Sequence, residues 1–364
     1  MSQKISSSMF AIAAIIFVMA VAIVKYWEIW STPTNQDEYG DKYSKSQYVL
    51  GPKSDEWISD SELYVYAGFA YIKGQDPTTI NFEHPPLAKY ITGLSQLLTG
   101  NAYLVNLVLY PFLLWLVCLF SSIIVSNEKI KASIVVLFGL QPIVFTQLQY
   151  ALLDLVFVSS ILGLFIVLHQ KFTSNLLKYI VVGCLLGVIA AVKYPIPFIF
   201  IPSAIVGLVA FKNSHLKYLI LSGFFAAVIY LLSYSMYFYH GHSILDFLAF
   251  EKYRYVWWIG DRTMPKFLIF QNLFTGKFPA WWDGGPEQVT KDWNIILPIT
   301  FVLFVTTISW SERKFWNLLI AGFGLGMIFV YGYASASALR YLILLLPFWL
   351  TAIGSIAERN KYLR

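Results

Sequence analysis

Ten apolar runs, each 17 to 25 residues long, nearly exhaust this chain of 364 residues, and no other feature restricts its fold so strongly. They lie at 9–30, 101–125, 132–148, 154–170, 176–192, 195–211, 216–239, 293–310, 315–333 and 341–357. About 20 apolar residues cross the hydrocarbon of a bilayer as a helix. Lipid offers no partner to open backbone groups, so every crossing run must be helical. Charged residues make up only 13% of the chain, about half the share of a soluble domain. A soluble enzyme and a disordered chain are thereby excluded. The two cysteines, Cys118 and Cys184, both sit inside apolar runs and leave no material for a disulfide framework or a zinc cluster. The expected fold is an all-α polytopic membrane protein of about ten transmembrane helices, with residues 1–364 forming a single domain.

An even number of spans puts both termini on one side. That side carries twelve bases (Lys4, Lys129, Lys131, Lys171, Lys178, Lys212, Lys217, Arg313, Lys314, Arg359, Lys361 and Arg364) against Glu128, Glu312 and Glu358, a net of +9. The other side holds the remaining 14 bases and 17 acids, a net of −3. The positive-inside rule then places both termini in the cytoplasm and the long connections 31–100 and 240–292 outside. The overall charge of +6 thus follows the membrane and implies no nucleic-acid partner. Tyr26, Trp27 and Trp30 follow the first run as an interfacial aromatic belt, with no small-x-small cleavage site, so the first span is expected to be retained.

The first outer connection carries two short juxtamembrane helices. Over 87–98, Leu87, Tyr90, Ile91, Leu94, Leu97 and Leu98 recur at helical spacing, opposite Lys89, Thr92, Ser95, Gln96 and Thr99. This predicts an amphipathic helix on the membrane surface, opened by Pro85 and Pro86 and ended by Gly100. Ser59 with Glu62 three residues later forms a capping box and predicts a second surface helix over 60–73. The two helices frame the segment 75–84.

Ionisable residues at membrane depth are costly, so each is a candidate for function. On this topology Asp154, Lys193 and Arg340 fall at outer ends of spans, level with Asp60, Glu62, Glu83 and His84 of the first loop. Five distant stretches converge on one face, as an outward-facing active site requires. Lys193 and Arg340 also suit snorkelling and interfacial anchoring, and Asp60 and Glu62 suit the dipole of a helix start. In the second loop, Tyr253, Tyr255, Trp257, Trp258, Trp281 and Trp282 sit among Arg254, Asp261, Arg262 and Asp283, as interfacial anchors or as a sugar or acceptor platform. His240 and His242, two apart, read as loop histidines.

The stretch Asn81-Phe82-Glu83-His84-Pro85-Pro86-Leu87-Ala88-Lys89-Tyr90 resembles the HPPL-type motif of the protein O-mannosyltransferase family, within the GT-C superfamily of polyprenyl-phosphate-sugar-dependent glycosyltransferases. Further matches follow in the family's order: the acids Asp60 and Glu62 ahead of the motif, Leu-Leu-Asp at 152–154, the glycine-rich span from Gly183 to Lys193, and Arg340-Tyr341 six residues before Pro347. The resemblance covers most of residues 1–357. The family's adjacent Asp-Glu pair is interrupted here by Ser61. An intact pair exists at Asp37-Glu38, but 47 residues before His84. No soluble C-terminal domain is expected beyond the last span, and acceptor recognition is expected from loops 31–86 and 240–292.

The resemblance implies a membrane glycosyltransferase that takes a sugar from a polyprenyl- or dolichyl-phosphate donor. The acceptor is a protein, lipid or glycan, and the sugar mannose, another hexose or aminoarabinose. Asp60, or its rival Asp37, is then the base, with Glu62 or Asp154 positioning acceptor or sugar. One base displacing at the anomeric carbon inverts configuration. Lys193 and Arg340 are expected to stabilise the departing phosphate. Lys89 is expected to contact donor phosphate or phospholipid. Glu83, His84, Pro85 and Pro86 form the loop motif, in which Glu83 and His84 orient the loop or hold a divalent metal; no cofactor is required. The alternatives are a transporter or flippase for lipid-linked sugar, and a non-catalytic binder of one.

Overall fold

A computed structural model describes residues 9–193, 196–259, 265–279, 287–310, 314–334 and 338–359. Asp261, Arg262, Trp281, Trp282 and Asp283 of the second loop lie outside them. The chain is a bundle of apolar helices. Four described helical segments are long and apolar enough to cross a bilayer: Met9–Ser31, Asn175–Val192, Leu216–Ser233 and Phe315–Tyr333. Asn106–Ser121, Asp154–His169, Ile196–Lys212 and Ile296–Trp310 are apolar but shorter.

Three expected spans are interrupted, two of them near prolines. The run 132–148 divides into Glu128–Gly139 and a second piece from Pro142 to Gln149, bent by 69°. Pro142 brings no N–H and pushes Gln141 out of the helical region, to φ −60 and ψ 124. The last run starts as a 3-10 turn, Leu339–Leu344, and becomes α-helical at Leu346–Arg359, with Pro347 in the first turn. In the span expected over 216–239, the helix likewise stops at Ser233 and resumes as Ser235–Tyr239.

The two long connections meet on one face. His240 Nε2 lies 2.7 Å from the Gly74 carbonyl oxygen, and His242 Nε2 lies 2.9 Å from Asp76 Oδ2. At the other end, the Glu358 carboxylate accepts from the backbone N–H groups of Ser126 (3.0 Å) and Asn127 (2.8 Å). The end of the last described helix thus lies with a short turn that the expected topology assigns to the same side.

The first connection contains the helices Gln36–Lys45, Asp60–Ile72 and Leu87–Thr99. Leu87–Thr99 is amphipathic, and its polar side faces inward: Lys89, Thr92, Ser95 and Gln96 are buried, while Leu98 is 73% exposed. That orientation suits a helix whose outside is lipid. Asp60–Ile72 departs from the expected surface position, for Leu63, Tyr64, Val65, Ala67, Ala70 and Tyr71 are all buried. The two helices cross at Gly68 and Gly93, so closely that a Cβ added to Gly93 meets the Gly68 carbonyl oxygen at 2.0 Å. The second connection is also structured, with helices Ile244–Ile259 and Leu268–Thr275 and a short antiparallel hairpin pairing Lys277–Pro279 with Glu287–Val289.

Candidate active site

Asp60 is the first residue of its helix, because Ser59 caps the helix ahead of it. Its Oδ2 accepts from Nη2 of Arg340, 280 residues away on the Leu339–Leu344 turn. The pair is partly open, with side-chain exposures of 36% for Asp60 and 28% for Arg340. Tyr64, one turn along the helix from Asp60, is buried beneath them. Burial, and then the Asp60 carboxylate, push its hydroxyl well above the ordinary tyrosine range, against the influence of Arg340.

A second pair lies close by. Asp154 opens the helix Asp154–His169, and Lys193 is the residue just past Asn175–Val192. Their side chains form a buried ion pair, each 5% exposed. The Lys193 ammonium also lies 4.8 Å from the Tyr341 ring centre and 5.3 Å from that of Phe157. The two residues expected to act on substrate from separate positions are thus partners of each other. Asp154 still acts electrostatically on Arg340, which ties the two pairs into one cluster.

The loop motif sits beside both pairs. Trp258, from the second connection, donates its indole N–H to the Glu83 carbonyl at 2.9 Å and packs its ring 5.3 Å from that of His84. Phe82 packs on Tyr253 and Trp257. These aromatics hold one loop against the other. Pro85 and Pro86 are buried, and Pro86 leads directly into Leu87–Thr99. The imidazole of His84 is held well below the ordinary histidine range, first by burial and then by the cations Lys89, Lys193, Arg340 and Arg254. It is neutral near pH 7. Among the described residues, no group of three or more acidic, histidine or cysteine side chains is placed to hold a metal.

Lys89 and Glu62 both have internal partners. Lys89 is fully buried. Its ammonium donates to the carbonyls of His84 (2.7 Å) and Asn81 (3.1 Å), and burial pulls its pKa well below that of an ordinary lysine. It pins the motif loop from inside. Glu62 is likewise committed. One oxygen accepts from the Ser59 N–H (2.9 Å) and hydroxyl (2.7 Å), and the other from Lys42 (3.0 Å). Burial raises its pKa, but the Ser59 bonds and the Lys42 ammonium outweigh that, and the net shift is downward. Glu62 caps its helix. Asp37, the rival base, is exposed in the first turn of Gln36–Lys45, with its N–H accepted by Asn35.

Reasoning from the sequence did not single out Tyr64, and named Tyr341 only as the neighbour of Arg340. Tyr64 had a legible signal, lying four residues after Asp60 and so on the same helix face. Trp258 was noted as an aromatic of the second loop, but no local pattern joined it to Glu83, 175 residues away.

No protein-family model matches the chain, and no curated protein sequence matches it. Among solved structures, ArnT from Cupriavidus metallidurans in the apo state matches over 96% of this chain, with a TM-score of 0.61 and 13% identity. ArnT from the same organism bound to undecaprenyl phosphate matches over 95%, with a TM-score of 0.60 and 13% identity. The chain spans 60% of the length of each. It is a multi-pass membrane protein with the fold of ArnT.

Proposed function

We propose that the protein is a membrane glycosyltransferase that moves a sugar from a polyprenyl-phosphate donor to an acceptor hydroxyl on the outer face, with both termini cytoplasmic. The observation that carries this reading is the accessible Asp60 carboxylate beside the Arg340 guanidinium, where both long connections converge. The fold shared with ArnT, of which one structure holds undecaprenyl phosphate, supports a polyprenyl-phosphate donor.

In this reading Asp60 takes the proton of the acceptor hydroxyl. The acceptor oxygen attacks the anomeric carbon, the bond from that carbon to the phosphate oxygen breaks, and configuration inverts. The electron pair of the broken bond stays on the phosphate, whose added negative charge is stabilised by the Arg340 guanidinium. Lys193, sealed against Asp154, acts only through the field. The motif resemblance favours mannose or another hexose, with a protein, lipid or glycan as acceptor.

The test is sugar transfer in membranes carrying the wild type or Asp60→Asn, with radiolabelled undecaprenyl-phosphate mannose and glucose and label followed into protein and lipid. Transfer by the wild type and its loss in a properly inserted variant uphold the reading. Equal transfer by both removes Asp60 as base and turns attention to Asp37. Uptake of label into sealed vesicles with no glycosidic bond formed would instead identify a carrier.

A further inference from the structure

The two ion pairs at the site differ in what can reach them. Asp154 and Lys193 are sealed at 5% exposure each, and parting them leaves an uncompensated buried charge. Asp60 and Arg340 are partly exposed, a setting in which an ion pair is worth little net and its members remain open to other partners. The Nε of Arg340 is buried and has no acceptor among the described residues. A guanidinium presents its donors as a planar fork, which a phosphate can satisfy with two oxygens at once. Here Asp60 engages it through a single oxygen.

We propose that Arg340 exchanges Asp60 for the phosphate of the lipid-linked donor, so that donor binding releases the carboxylate to receive the acceptor's proton. The proposal rests on the glycosyl-transfer reading and adds an order to it: donor first, then acceptor. While Asp60 is held by Arg340, its Oδ2 is taken. Once the phosphate occupies the guanidinium, that oxygen is free for the acceptor hydroxyl, and the leaving phosphate gains its charge beside the arginine already bound to it.

The experiment is binding of undecaprenyl phosphate, and separately of inorganic phosphate, to the full chain in nanodiscs as wild type, Asp60→Asn, Asp60→Ser and Arg340→Gln. The two Asp60 variants guard against a single misfolded protein. Removal of the competing carboxylate is expected to tighten undecaprenyl phosphate binding about five- to tenfold, and Arg340→Gln to weaken it about tenfold. Tightening for the lipid alone assigns the exchange to polyprenyl phosphate; tightening for both ligands assigns it to phosphate generally, and the exchange stands either way. Unchanged or weaker binding in the Asp60 variants overturns it, as does equal binding by wild type and Arg340→Gln. Transfer by the wild type, measured separately, decides the glycosyltransferase reading, so the two failures are distinguishable.

Discussion

Asp154 and Lys193, 39 residues apart, close an ion pair between the start of one apolar helix and the end of the next, out of reach of water. A lone charge at either position has no compensation in that setting. Asp154→Asn is expected to cost about 3–5 kcal/mol, because it strands the lysine. Asp154→Leu combined with Lys193→Met is expected to recover most of that loss. Thermal unfolding in detergent checks both, and a double variant no more stable than Asp154→Asn would show that the two charges are not coupled.

Lys89 behaves as a buried pin with two carbonyl acceptors. Lys89→Met is expected to destabilise the protein by about 2–4 kcal/mol through two lost charge-assisted bonds. Lys89→Arg is not expected to rescue it, because a planar guanidinium overfills a closed site. A contact with donor phosphate would give a different result: unchanged melting with weakened undecaprenyl phosphate binding.

Gly93→Ala places a methyl 2.0 Å from the Gly68 carbonyl oxygen, a backbone atom that cannot turn aside. The helix pair must part, at a cost of about 2 kcal/mol or more despite alanine's better helix propensity. Gly223→Ala, on the apolar helix Leu219–Ser233, meets nothing within 4 Å and is expected to be neutral or stabilising. Melting temperatures of the two variants against wild type make the comparison.

His84 links stability to pH. Its folded pKa lies below its unfolded value, so as pH falls below about 6.5 the unfolded chain binds a proton that the folded chain refuses. Folding stability therefore declines with falling pH, from the unfolded pKa down to the folded one, by at most about 1.4 kcal/mol per pH unit from this residue. His84→Gln is expected to lose less stability than wild type between pH 7 and 5. Parallel slopes for the two proteins would assign the acid sensitivity elsewhere.

What could be read in the chain itself was whatever depends on neighbours in sequence. Apolar runs of bilayer length require helices, a capping box at Ser59 and Glu62 starts one at Asp60, and Leu87 to Leu98 carry the periodicity of a surface helix. Gln141-Pro142 also held a legible break, hidden by the apolarity around it. Which charges find each other was not written locally. Asp60 reaches Arg340 and Asp154 reaches Lys193 only because separate helices bring their ends to one face. Burial then decides the rest, and burial belongs to the packed bundle. Lys89 was read by its charge as a phosphate or phospholipid contact, and only the packed helix shows its polar side turned inward. The tertiary structure makes it an internal clamp and leaves Arg340 as the accessible cation beside Asp60.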